Sequence, residues 1–142
     1  MERVKKTSLQ EGDKILLKRG ETFNGILDIT GKGLSQSPII IDAYGESNKK
    51  PCIAGNDTSM YAVRIFNSDY LTIQNLEISN TGKERKAGRT GLKVECTDYG
   101  ISHNIRINNL TIRDVNGSLV KEEGGGSGIL IVNGGDSIRF TL

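Results

Sequence analysis

Tryptophan is absent from this 142-residue chain, proline occurs twice, histidine once, and aromatic residues make up only 5%. With 35% hydrophobic residues in all, a compact globule of this length would be short of the large apolar side chains that usually fill its centre. No run of apolar residues keeps a helical spacing over several turns, and none is long enough to cross a bilayer. Residues 1–9 are basic but lead straight into Glu11-Gly12-Asp13 without an apolar segment, so they do not read as a secretory signal. A net charge of +2 is too small to point to nucleic acid or a membrane surface as partner. Cys52 and Cys96 lack metal-ligand or redox spacing and fall in separate apolar runs, so free, packed thiols are expected. The length suits a single domain over 1–142.

What the chain does have is 18 glycines and many short stretches of alternating polarity. In Tyr70–Asn80, apolar side chains alternate at Leu71 and Ile73, then at Leu76 and Ile78, with Asn75 shifting the phase. The same pattern returns around Asn109, with Ile105 and Ile107 before it and Leu110 and Ile112 after it, an offset of 109 − 75 = 34 residues. A strand–Asn–strand unit that recurs at fixed spacing is the mark of a solenoid. Each turn then holds an isolated strand, a connection and the pair split by asparagine. One turn covers 62–66, 70–74 and 76–79; the next covers 92–96, 104–108 and 110–114. A third begins at 129–133. Backward, 25–29, 38–43 and 51–54 form a turn with a longer corner loop, and 14–18 is expected to be the last strand of the turn before. The fold class is all-β: a right-handed, single-stranded parallel β-helix with three strands per turn and about four turns. Asn75 and Asn109 are structural corner residues, their amides stacked and hydrogen-bonded between turns.

Three stretches, Gly12-Asp13-Lys14-Ile15-Leu16-Leu17-Lys18-Arg19-Gly20, Ser37-Pro38-Ile39-Ile40-Ile41-Asp42-Ala43-Tyr44-Gly45 and Lys50-Pro51-Cys52-Ile53-Ala54-Gly55, resemble the N-terminal turns of bacterial pectate-lyase-like β-helix proteins. With the Asn-cornered repeats the resemblance covers nearly the whole chain. It implies a carbohydrate-active protein, and an extracytoplasmic or cell-surface location. Members of that superfamily usually cap the first turn and run to many more turns. Matching Ile138 to Ile105, at 138 − 105 = 33, puts Leu142 near a corner, so the chain reads as a truncated part of a longer solenoid.

In such proteins the substrate groove runs along the isolated strand. With Val63, Ile65, Leu92, Val94, Ile129 and Ile131 pointing inward, Arg64, Lys93 and Leu130 form one outward column and Phe66, Glu95 and Val132 the next. The resemblance implies cleavage of an acidic polysaccharide by β-elimination, with Arg64 and Lys93 as catalytic cation and base. Arg85, Lys86 and Arg89 in the adjoining basic loop would bind substrate, and Glu95 with Asp98 would offer oxygen ligands to Ca²⁺. Against this stands the ordinary behaviour of outward charges on a sheet, which is to be solvated. The alternatives are a non-catalytic carbohydrate-binding or surface-structural module, and a segment of a glycoside hydrolase. A hydrolase needs two carboxylates at a defined separation; Glu122, Glu123 and Asp114 are available, but the Asp-Asp, His-Gly and Arg-x-Lys motifs of polygalacturonase-like hydrolases are absent. His103 is assigned to a surface or turn. The expected partner is polysaccharide, with no nucleic acid or membrane. End-to-end association through open solenoid ends is a further expectation.

Overall fold

A computed structural model describes residues 5–135. The strands in chain order are β1 (Lys5–Gln10), β2 (Lys14–Lys18), β3 (Thr22–Asn24), β4 (Leu27–Lys32), β5 (Ile39–Tyr44), β6 (Cys52–Ala54), β7 (Tyr61–Phe66), β8 (Leu71–Gln74), β9 (Glu77–Asn80), β10 (Thr90–Thr97), β11 (Ile105–Asn108), β12 (Thr111–Val115) and β13 (Ser127–Gly134). They form three parallel sheets. The first has the order β1-β4-β7-β10-β13, the second β11-β8-β5-β2 and the third β12-β9-β6-β3. Every third strand therefore returns to the same sheet, which is a parallel β-helix of three strands per turn. Four turns are complete, and β13 opens a fifth. The stretch around Ile138, expected to continue that turn, lies outside the described residues.

Alternation builds the interior. Leu27, Val63, Leu92 and Ile129 stack in register in the first sheet, Ile15, Ile41, Ile73 and Ile107 in the second, and Phe23, Ile53, Ile78 and Ile112 in the third. The β-branched side chains that predominate, stiff at χ1, suit these columns because each packs on an apolar side chain of the next turn about 4.8 Å away. Ile41, Ile53, Ile73 and Ile78 are fully buried, while their partners at either end are only partly covered. Burying each central isoleucine contributes about 1.5–3 kcal/mol. At the end formed by β13 and β11 the interior opens into an apolar concavity of about 670 Å³, where Ile131 is 70% exposed. This is one of the two ends to which the expectation of end-to-end association refers.

The repeat of 34 residues is borne out at Leu71↔Ile105 and Ile78↔Ile112. Earlier turns depart from the sequence reading. Lys14–Lys18 is the second strand of its turn, paired with β5, and not the last. Two strands escaped notice. β1 carries a single large apolar residue, Leu9, and is held by its backbone pairing to β4 alone, as an end strand can be; β3 is too short to show alternation. Without them, counting back from the corner misplaced β2. β4 also runs through Gly31, within a stretch that reads as loop. A Cβ there would lie 2.5 Å from Ile39 Cδ1 and 2.9 Å from the Leu9 carbonyl, so glycine is what lets the first two turns close up at that point. Cys52 and Cys96 are free, as expected, and sit in different sheets.

The corner between the second and third sheets is the asparagine ladder. Asn75 and Asn109 have left-handed backbones, φ 60° and 48°. Asn109 Nδ2 donates to Asn75 Oδ1 at 2.8 Å, and Asn75 Nδ2 donates to Asp42 Oδ1 at 2.8 Å. Asp42 thus anchors the ladder one turn further down, with Gln74 Nε2 donating to its other oxygen at 2.7 Å. Burial alone would raise the Asp42 carboxyl pKa; donors from Asn75, Gln74 and the Ala43 N–H, with Arg19 nearby, more than offset this and hold it below 3.8. Asn75→Ala is expected to cost about 1–3 kcal/mol, from lost hydrogen bonds and a left-handed backbone without asparagine. Because a depressed carboxyl stabilises the fold above its unfolded pKa and loses that contribution as pH falls through the folded one, the gap between wild type and variant should narrow below pH 3.8. Urea titrations at neutral pH and near pH 3 measure both; a gap independent of pH would remove Asp42 from the ladder.

Candidate functional site

The outer face of the first sheet carries a row of paired charges. The predicted register holds: Arg64 lies beside Lys93, Lys93 beside Leu130, and Glu95 beside Phe66 and Val132. One turn down, Asp28 pairs with Arg64. The Arg64 guanidinium grips Asp28 with both arms, Nε to Oδ1 at 3.0 Å and Nη2 to Oδ2 at 2.8 Å. Its third nitrogen, Nη1, reaches Glu95 Oε2 at 3.4 Å, and that oxygen also meets Lys93 Nζ at 3.2 Å. The guanidinium lies 4.7 Å from the centre of the Phe66 ring and 5.3 Å from that of Tyr61. The Tyr61 hydroxyl donates to Asp28 Oδ2 at 3.3 Å; burial first, and then the Asp28 charge, raises its pKa, so it keeps the proton it donates. Asp28 is only 3% exposed. A recess of about 270 Å³ beside this row is lined by Thr7, Ser8, Asp28, Thr30, Arg64 and Phe66.

Charges alternate along the row, so it is close to neutral and held in one geometry. Bidentate pairing leaves Arg64 little freedom to seek another anion. The hydrogen bonds it donates to Asp28 are the leading cause of a raised Arg64 pKa. Arg64 and Lys93, expected as a catalytic cation and base, are thus both engaged with carboxylates. Asp28 and Glu95, in turn, have cations on their oxygens. Such a face offers ordered donors, acceptors and ring surface to a polar ligand rather than a free acid or base.

The basic loop is only partly as expected. Arg85 and Lys86 are exposed, and Arg85 Nη1 donates to the Gly117 carbonyl at 3.2 Å. Arg89 is not available to substrate. It is 2% exposed, its Nη1 and Nη2 donating to the carbonyls of Ser59 at 3.4 Å and Glu84 at 3.2 Å. Gly82 makes room for it: a Cβ there would fall 2.1 Å from Arg89 Nη2. In a run of basic residues nothing in the sequence marks the one that turns inward to tie the loop down. Glu95 and Asp98 do not assemble a calcium site, since Glu95 faces two cations. Asp98 lies beyond the strand with a left-handed backbone, φ 48°, and among the described residues no group of three His, Cys, Asp or Glu side chains is placed to hold a metal ion. Glu122 and Glu123 sit in an exposed 3-10 turn, where Ser118 Oγ donates to Glu123 at 2.7 Å, and Asp114 pairs with its neighbour Arg113. Among the described residues no helix is long and apolar enough to cross a membrane.

Asp28 and Tyr61 are the site residues that the sequence reading passed over. The chain matches two crystal structures of GH136 lacto-N-biosidase from Eubacterium ramulus. The native protein is 30% identical with a TM-score of 0.74, and the selenomethionine derivative 29% identical with a TM-score of 0.72. Each match covers 89% of this chain but 25% of the other, so the chain spans about a quarter of the length of the proteins it resembles. No protein-family model matches the chain, and no curated protein matches it significantly.

Proposed function

We propose that the chain is a β-helix segment of a carbohydrate-active protein of the glycoside-hydrolase kind, and that the outer face of its first sheet contacts an oligosaccharide. The observation that carries this is the row Asp28–Arg64–Glu95–Lys93 with the Tyr61 and Phe66 rings beside it. Sugars are bound by fixed hydrogen-bonding groups next to aromatic surface, and here both are preorganised by mutual pairing. The likeness at 30% identity to a lacto-N-biosidase gives the substrate class its direction, toward an oligosaccharide with a lacto-N-biose unit. A lyase would need Arg64 or Lys93 unengaged, so the hydrolase side of the alternatives is preferred, and the bond-breaking acid and base are assigned to turns beyond these. Kinship with pectate-lyase-like β-helix proteins and an extracytoplasmic location go with the same reading.

Calorimetric titration with lacto-N-biose tests it. Phe66→Ala, which removes ring surface and leaves the Asp28–Arg64 pair in place, should weaken binding about fivefold or more. Equal affinity for the variant, or no heat of binding to either protein, would overturn the proposal.

A further inference from the structure

A second polar cluster stands where β4, β7 and β10 end and the chain turns from the first sheet toward the second. Asp69 follows Phe66 by three residues and Tyr99 follows Glu95 by four. Asp69 collects three donors. The His103 N–H reaches Oδ1 at 2.6 Å, His103 Nδ1 lies 2.9 Å from the same oxygen, and the Tyr99 hydroxyl donates to Oδ2 in a short hydrogen bond. Lys32, at the end of β4, places its ammonium 5.3 Å from the centre of the Tyr99 ring. The His103 ring stacks on Tyr70 with centroids 5.9 Å apart and planes within 10°, and its side chain is 53% exposed.

Asp69 is acceptor-only when ionised, which decides which ring nitrogen of His103 bears a hydrogen toward it. Burial would raise the Asp69 pKa, but the donors from Tyr99 and His103 outweigh it and hold it below its usual value. Burial, and then the Asp69 carboxylate, pushes the Tyr99 hydroxyl up to about 12, so that group remains a donor. The imidazole nitrogen facing Asp69 must therefore carry the hydrogen, and the neutral ring has its lone pair on Nε2. Nε2 has no protein partner among the described residues. Turning the ring over would give up the Asp69 bond.

We propose that His103 Nε2, fixed by Asp69 and Tyr70, is a hydrogen-bond acceptor for a hydroxyl of a saccharide bound along the outer face of the first sheet. A carbonyl or carboxylate at that turn would also accept, but an imidazole adds a flat ring against which the sugar's C–H face packs. This rests on the reading of the face as a saccharide surface and adds one position to it. In the known alternative for an Asp–His pair, a metal on Nε2, further ligands would be needed, and no group of three ligand side chains is placed for that among the described residues.

His103 is the only histidine in the chain, so its ring nitrogens can be followed without assignment ambiguity. Long-range ¹H–¹⁵N spectra of the labelled protein should show the Nδ1–H tautomer, and titration with lacto-N-biose should shift Nε2 along a saturating curve. Asp69→Asn, and independently His103→Ala at a half-exposed site, should each weaken binding about fivefold. An Nε2–H tautomer in the free protein, or an unmoved Nε2 at saturating saccharide, overturns the proposal. Binding sensitive to Phe66→Ala with His103 silent would sink this inference and leave the face reading standing. Binding sensitive to Asp69→Asn but indifferent to Phe66→Ala would overturn the face reading and, with it, the position given to His103 along that face. Absence of binding would end both.

Discussion

Arg64→Ala is expected to cost about 3–5 kcal/mol of folding stability, the usual penalty for removing one member of a buried ion pair. Asp28 is the reason. Its side chain is almost wholly enclosed, and Arg64 supplies a bond to each of its oxygens. Removing the guanidinium leaves that carboxylate, among the described residues, with the Tyr61 hydroxyl at 3.3 Å, and also takes the cation off the Phe66 and Tyr61 rings. The exposed-pair figure of 0.2–1 kcal/mol does not apply, because desolvation of Asp28 is paid whether or not its partner is present. Urea unfolding followed by circular dichroism gives the number. The double variant Asp28→Leu with Arg64→Met should recover most of the loss, since replacing both charges with apolar groups removes the uncompensated burial. A loss below about 1 kcal/mol for Arg64→Ala would mean that Asp28 is hydrated, contrary to its enclosure.

Ile73→Ala should cost about 2–5 kcal/mol. Ile73 is 0% exposed and sits between Ile41 below and Ile107 above in the middle of the second sheet. Truncation leaves a cavity flanked by stiff β-branched neighbours that cannot collapse into it, so the upper part of the range applies. Ile131→Ala is the internal control. It has the same chemistry but stands at the open end, and its effect should stay within about 0.5 kcal/mol, as for surface substitutions. Equal losses at the two positions would contradict the gradient of burial along the stack.

The asparagine corners and the spacing of 34 residues were legible because both connections in those turns have the same length, so like residues meet like. The same spacing joins Asp69 to His103, 103 − 69 = 34, and a search for complementary pairs at that interval would have found them. Asp28 was harder to see. It lies 64 − 28 = 36 residues from Arg64, whereas Lys93 lies 93 − 64 = 29 beyond it, and unequal turns conceal which residues are neighbours. The fate of Arg89 was not written in its surroundings either. A basic residue among others in a loop becomes a buried tie through Gly82 and two backbone carbonyls, contacts that exist only once the turns have stacked.

Nuclear magnetic resonance mapping of lacto-N-biose on the ¹⁵N-labelled protein tests the central claim most directly. The account predicts saturable amide shifts concentrated on β7 and β10, at Arg64, Phe66, Lys93 and Glu95, and continuing to His103. Shifts confined to the opposite side, around Glu77 and Arg113 on the third sheet, or none at all, would contradict it.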